Sequence, residues 1–147
     1  MGQVDAQTER LIAASPQRVW AFLADYRNNR PRLLPPEYFE DYRVEQGGDG
    51  AGTVISYRLR AGGRERPYRM RVEESAEGGL LVERYTESTL VTTWTLTPAE
   101  SGERTLVGLM SRWEGTGGIG GLFERLFAPR ALRRIYDEVL EMLSEAV

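Results

Sequence analysis

From Phe39 to Trp113 apolar and polar residues alternate with a period of two, and beyond Arg130 the apolar positions recur at steps of three and four. The first regime predicts strands at about Phe39–Gln46, Thr53–Ala61, Arg66–Ser75, Gly79–Thr86, Leu90–Thr97 and Thr105–Trp113. Their connections are short, which pairs sequence neighbours antiparallel. Ile55, Tyr57 and Leu59 oppose Ser56, Arg58 and Arg60, and Tyr68, Met70 and Val72 oppose Arg69, Arg71 and Glu73, so one face is apolar and aromatic and the other charged. Trp94 and Leu96 extend the inner set, with Tyr85, Val107, Leu109 and Trp113. The last strand is apolar on both sides, Leu106 and Met110 included, which leaves its register open.

The second regime places Leu132, Ile135, Tyr136, Val139, Leu140 and Leu143 on one side of a helix and Arg133, Arg134, Asp137, Glu138, Glu141 and Glu145 on the other. Such a helix is about 27 Å long, the length of a seven- or eight-residue strand, and can span a sheet. Pro129 predicts a kink or break, because a prolyl ring removes one helical hydrogen bond and clashes with the preceding turn. The piece before it, with Leu122, Phe123, Leu126 and Phe127, is apolar enough to need a surface to lie on.

Ahead of these elements Val4–Ala13 reads as a first strand whose Asp5, Glu9 and Arg10 suit an edge. Ser15 and Pro16 open a short helix as N-cap and first residue, with Val19, Trp20, Phe22 and Leu23 on one side, ending near Asp25–Asn28. Asn28–Glu37, with Pro31, Pro35 and Pro36 around Leu33 and Leu34, reads as a packed connection whose leucines plug the end of the core, with a lid as the alternative. The expectation is a seven-stranded meander followed by a long helix.

Composition narrows the chemistry. The 147 residues suit a single domain spanning 1–147, and no linker-like stretch divides it. Cys and His are absent, and all 19 basic residues are Arg. That removes disulfides, thiolate nucleophiles, imidazole bases and Schiff-base lysines, and leaves Asp, Glu and Tyr as acid–base groups. A net charge of −3 argues against nucleic acid and anionic membrane surfaces. No long apolar run and no signal pattern over Met1–Gln7 is present, so a cytoplasmic location without stable membrane insertion is expected.

Gly115, Gly117 and Gly120 spell G-x-G-x-x-G between a strand and a helix, but the chain ends inside that helix and supplies no second strand with its acidic residue, so the glycines read as a tight turn. Gly47, Gly48, Gly50 and Gly52 sit in a hairpin without the spacing or lysine of a phosphate loop. Arg58, Arg60, Arg69, Arg71 and Arg84 fall on the outer face with Glu73, Glu83 and Glu87 nearby, as cross-strand ion pairs or, alternatively, a phosphate-binding surface. An Arg turned inward could hold a carboxylate or enolate. The inner aromatics Tyr57, Tyr68, Tyr85 and Trp94 form either a satisfied core or the wall of a pocket.

The order of elements resembles the helix-grip fold of the START-like, Bet v 1-like superfamily, and among bacterial groups the polyketide cyclase/dehydrase-type family. The resemblance rests on Ile12-Ala13-Ala14-Ser15-Pro16 running into Val19-Trp20, Asp25 with the proline-rich segment after it, the Gly47–Gly52 loop, Thr92-Thr93-Trp94, and Gly120-Gly121-Leu122 before the helix. It implies an α+β domain whose curved seven-stranded antiparallel sheet wraps a long C-terminal helix, with two small helices after the first strand. It also implies a cavity for an apolar ligand between sheet and helix, which makes Tyr57, Leu59, Tyr68, Met70, Tyr85, Trp94, Leu109, Leu126, Ile135 and Tyr136 the expected ligand contacts.

The function expected from these features is binding or carriage of a small hydrophobic or aromatic ligand, such as a lipid, polyketide or quinone-like compound, by a monomer or homodimer with no cofactor, metal or nucleic acid. The alternative is a polyketide cyclase or dehydratase in which Tyr57 or Tyr68 donates to a developing enolate and an Asp or Glu is the base. An inward carboxylate near those tyrosines would favour it. A third class is an interaction module using the charged sheet face or the Leu33-Leu34 loop.

Overall fold

The computed structural model describes residues 3–61, 64–75, 79–114 and 129–147. Its elements are β1 (Gln3–Ile12), α1 (Pro16–Ala24), a 3-10 turn (Arg30–Leu33), β2 (Phe39–Gln46), β3 (Val54–Ala61), β4 (Arg64–Glu74), β5 (Leu80–Tyr85), β6 (Val91–Ala99), β7 (Arg104–Glu114) and α2 (Pro129–Ala146). All strands pair antiparallel in one seven-stranded sheet of order β1-β7-β6-β5-β4-β3-β2. Six of them, β2 to β7, make the expected meander. β1 joins β7 instead of β2, because α1 and the turn after it carry the chain across the inner face to the far edge.

After β1 stand one α-helix and a single 3-10 turn, where two small helices were expected. Ser15 accepts a hydrogen bond from the Arg18 amide at 3.3 Å, Pro16 opens the helix, and Val19, Phe22 and Leu23 are buried. Asp25 stops it: its carboxylate accepts from the amides of Arg27 and Asn28 at 3.1 and 2.9 Å, bending the chain into the proline-rich segment. Those hydrogen bonds hold the Asp25 pKa below the usual carboxylate range. Leu33 is fully buried, as a packed connection requires.

The hairpin Gly47–Gly52 docks on this corner. The Tyr26 amide donates to the Gly48 carbonyl and the Gly50 amide to the Ala24 carbonyl, both at 2.9 Å. Gly48 has φ +144°, and a Cβ there would come within 2.3 Å of Arg27 Nε, so the close approach requires glycine.

The strand parity read from the sequence holds on β3, β4, β6 and β7. Ile55, Leu59, Tyr68, Met70, Val72, Trp94, Leu96, Val107, Leu109 and Trp113 are buried on the inner face. On β2 the register shifts at Asp41, which has φ +58°, so that Phe39, Tyr42 and Val44 all pack on the core. Outside, Arg58, Arg60 and Arg84 pair with Glu65, Glu40 and Glu73 on neighbouring strands, and Arg69 on β4 reaches over β3 to Glu45 on β2. α2 buries Leu132, Ile135, Val139, Leu140 and Leu143, and it packs on β1, β7 and the 3-10 turn. Its solvent side is tied down by Tyr38 donating to Glu138 at 2.9 Å and Thr8 donating to Asp137. The expected apolar segment with Leu122, Phe123, Leu126 and Phe127, the Gly115–Gly120 turn and the chain's approach to Pro129 lie outside the described residues.

Candidate functional site

Across the middle of the apolar inner face runs a row of three polar side chains. Glu83 on β5 stands directly opposite Thr92 on β6, and Thr92 opposite Ser111 on β7. Their exposures are 6%, 7% and 0%, so all three are interior groups. Glu83 therefore corrects the expected outer placement. Leu81, Glu83 and Tyr85 share one parity, and since Tyr85 reads as inner, the period of two carries Glu83 inside with it.

Arg30 meets Glu83 from above. The prolines at 31, 35 and 36 keep this segment out of a regular helix, and its 3-10 turn lays the arginine across the sheet with 3% exposure. Arg30 Nη1 donates to Glu83 Oε2, Nη2 donates to the Leu23 carbonyl at 3.0 Å, and the Tyr26 hydroxyl donates to the same Glu83 oxygen at 2.6 Å. The guanidinium lies over the rings of Tyr26 and Trp94, 4.2 and 4.8 Å from their centroids. Burial alone would lower the Arg30 pKa, but Tyr26 and Glu83 outweigh it and raise it above the ordinary arginine value. Burial raises the Tyr26 phenol well above its usual value, with Arg30 opposing and Glu83 adding to the rise. Two donors of this cluster, Arg30 Nε and Trp94 Nε1, are buried without a hydrogen-bond partner among the described residues.

At the other end Ser111 links Thr92, at 2.6 Å, to the hydroxyl of Tyr136 on α2. Burial pushes the Tyr136 phenol up to about 12, against the opposing hydrogen bonds of Ser111 and Thr92. Between the two ends stands Tyr57, raised well above the usual phenol value by burial and by Tyr136, Glu83 and Tyr68 around it. Its hydroxyl makes no hydrogen bond among the described residues. These phenols stay protonated near neutral pH and act as hydrogen-bond donors.

The row faces a cavity of about 50 Å³ between the sheet and α2, lined by Arg30, Glu83, Thr92, Tyr42, Tyr57 and Tyr136 and by the apolar Leu34, Phe39, Ile55, Leu59, Leu109 and Val139. That volume holds a few waters or the polar end of a larger molecule, against the ~300–1,000 Å³ of a whole small-molecule site. Much of the remaining interior is filled by a file of rings: Phe39, Tyr57, Tyr68 and Tyr85 follow one another at centroid distances of 5.5, 5.9 and 4.9 Å.

Of the expected ligand contacts, Tyr57, Leu59, Leu109 and Tyr136 line the cavity. Tyr68, Met70, Tyr85 and Ile135 stand behind it in the core, Trp94 lies beneath Arg30, and Leu126 is outside the described residues. Arg30, Glu83, Thr92 and Ser111 were missed as site residues. A second inward arginine, Arg66, faces Leu59 across β3 and β4, half-buried and with no ion pair among the described residues. Among the described residues no group of three or more acidic side chains is arranged to hold a metal ion, and no helix is long and apolar enough to cross a membrane.

Comparison with known structures gives the same architecture. The chain is 41% identical to the KanY protein solved by NMR, with a TM-score of 0.84 over 99% of this chain and 97% of that one. It superposes on TTHA0849 from Thermus thermophilus with a TM-score of 0.75 and 23% identity, covering 97% and 95% of the two chains. The Zhui aromatase/cyclase from Streptomyces sp. R1128 matches with a TM-score of 0.64 and 20% identity over 99% and 88%. No protein of curated function matches. The model of the family described as polyketide cyclase / dehydrase and lipid transport matches residues 3–147, and the chain belongs to that family.

Proposed function

We propose that this protein binds a small hydrophobic or aromatic ligand between its sheet and α2, with the ligand's polar end in the Arg30–Glu83–Thr92–Tyr136 cavity. The observation that carries the reading is the polar row itself. An apolar interior that served only as core would have no use for a carboxylate, a guanidinium and a hydroxyl chain facing a void, since burying such groups is costly. The lipid-transport half of the family description supports carriage. The proposal has the protein acting as a single domain in the cytoplasm, as a monomer or homodimer, on lipid, polyketide or quinone-like compounds and without nucleic acid.

The test is native mass spectrometry of the freshly purified protein, followed by titration of any co-purifying compound into the wild type and Tyr57→Phe. Because the Tyr57 hydroxyl has no protein partner among the described residues, its removal leaves the melting temperature within about 2 °C and weakens ligand binding about threefold to tenfold. A ligand that binds both proteins equally would remove Tyr57 from the site. Absence of any co-purifying compound, with no ligand-induced rise in melting temperature across a panel of apolar compounds, would end the reading.

One observation favours the enzymatic alternative. Glu83 is an inward carboxylate on the wall that Tyr57 also lines, although its tyrosine hydrogen bond comes from Tyr26. In that reading Glu83 takes a proton from the carbon next to a ligand carbonyl, and Tyr57 or Tyr136 donates to the oxygen on which negative charge develops. Glu83→Gln would then abolish turnover of a poly-keto substrate while retaining its binding. Undiminished turnover in that variant would dismiss Glu83 as the base.

A further inference from the structure

Resting on the ligand-binding reading, we propose that the row Glu83, Thr92 and Ser111, closed by Tyr136, selects a neutral ligand bearing a hydroxyl and a carbonyl on one edge, and rejects ligands headed by a carboxylate. The first argument is charge. Arg30 is the cation in the cavity lining, and its charge is already balanced by Glu83: one terminal nitrogen donates to Glu83, the other to the Leu23 carbonyl, Tyr26 and Trp94 cover its flat faces, and Nε is left without a partner among the described residues. A ligand carboxylate would enter beside Glu83 with no free counterion, and an unpaired charge in a buried site costs more than the hydrogen bonds it gains return.

The second argument is the balance of donors and acceptors. Both hydrogen bonds to Glu83 land on Oε2, which leaves Oε1 without a partner among the described residues. A carboxylate oxygen only accepts, so its complement is a ligand hydroxyl. Thr92, Ser111 and Tyr136 carry three hydroxyl hydrogens, and the two bonds joining them use two. When Ser111 accepts from one neighbour and donates to the other, one hydrogen remains at an end of the chain, and both ends, Thr92 and Tyr136, line the cavity while Ser111 does not. Its complement is an acceptor such as a carbonyl oxygen. Glu83 and Thr92 are direct cross-strand neighbours, with Cβ atoms about 5 Å apart in such pairs, so the two ligand oxygens lie a few bonds apart on one side of the molecule.

The test uses NMR titration of the full chain with four probes of one size: meta-hydroxyacetophenone, acetophenone, meta-ethylphenol and meta-hydroxybenzoate. The wild type binds meta-hydroxyacetophenone about tenfold more tightly than meta-hydroxybenzoate. The double replacement Thr92→Val with Tyr136→Phe removes both ends of the hydroxyl chain, weakening the two ketones about threefold to tenfold while leaving meta-ethylphenol within about twofold. Glu83→Gln narrows the gap to meta-hydroxybenzoate, and Tyr136→Phe weakens the ketones on an intact Arg30–Glu83 pair should Glu83→Gln fail to fold. Equal binding of the benzoate by wild type, benzoate binding that disappears in Arg66→Gln, or unchanged ketone affinity in both hydroxyl variants overturns the proposal while leaving the pocket in place. If none of the four probes shifts the resonances of Tyr57, Thr92 or Tyr136, the ligand-binding reading falls with it.

Discussion

Glu83→Ala lowers the unfolding free energy by about 3–5 kcal/mol, whereas the double replacement Arg30→Met with Glu83→Leu restores most of that loss. The asymmetry follows from what each variant leaves behind. Removing Glu83 alone strands a guanidinium that is 3% exposed, and it also takes the acceptor from the Tyr26 hydroxyl. The remaining contacts, the Leu23 carbonyl at 3.0 Å and the faces of Tyr26 and Trp94, do not replace a counterion. Removing both charges leaves a space that methionine and leucine can fill, in which only neutral groups, the Tyr26 hydroxyl and the Leu23 carbonyl, lose a partner. Urea denaturation of Arg30→Met, Glu83→Leu and the double variant closes the thermodynamic cycle, with Glu83→Ala measured beside it. A cost below about 1 kcal/mol for Glu83→Ala would mean that water or another group reaches Arg30. Cross-strand pairs on the outer face make the internal control: Arg84 and Glu73 are 52% and 46% exposed, and breaking them costs at most about 1 kcal/mol.

Most of the fold was legible because β3 and β4 each present one apolar and one polar side, β5 to β7 keep the same period of two less cleanly, and glycine, serine or proline separates the strands. The amphipathic stripe of α2 was equally plain. What escaped was local irregularity and long-range order. The shift at Asp41 lets Phe39 and Tyr42 face the same way, which no single parity predicts. The placement of β1 beside β7 depends on where α1 carries the chain, and no residue pattern in β1 names its partner.

The site was harder to read than the sheet, for reasons that differ from residue to residue. Glu83 was within reach, since Tyr85 two positions on had already been assigned inward. Thr92 looks like its neighbours Thr93, Thr95 and Thr97, good strand formers on either face, and only the register that sets it between Glu83 and Ser111 gives it a role. Arg30 could not be found by periodicity, because it sits in a segment that has none and its partner is 53 residues away. The signal available there was indirect: an arginine among prolines and buried leucines, in a segment read as a plug for the core.

The same register decides whether the aromatic file is wall or filling. Tyr57 and Tyr68 are cross-strand partners and Tyr85 lies on the next strand, so the three rings stand side by side with Tyr68, 3% exposed, in the middle. Tyr68→Ala removes the central ring and costs about 3–5 kcal/mol if its neighbours stay in place. The void then adjoins Tyr57 and, through it, the polar cavity. A compound shaped like the lost side chain, para-cresol, at ten times its Kd returns about 1.4 kcal/mol, a rise of about 3–5 °C in melting temperature that the wild type does not show. A cost under about 1 kcal/mol with no response to para-cresol would mean that Tyr57 and Tyr85 close over the gap. Rings that close so readily can also part, and the small polar cavity would then grow along the file as an aromatic ligand enters; rings that hold their places confine the ligand to what fits beneath Leu34 and Phe39.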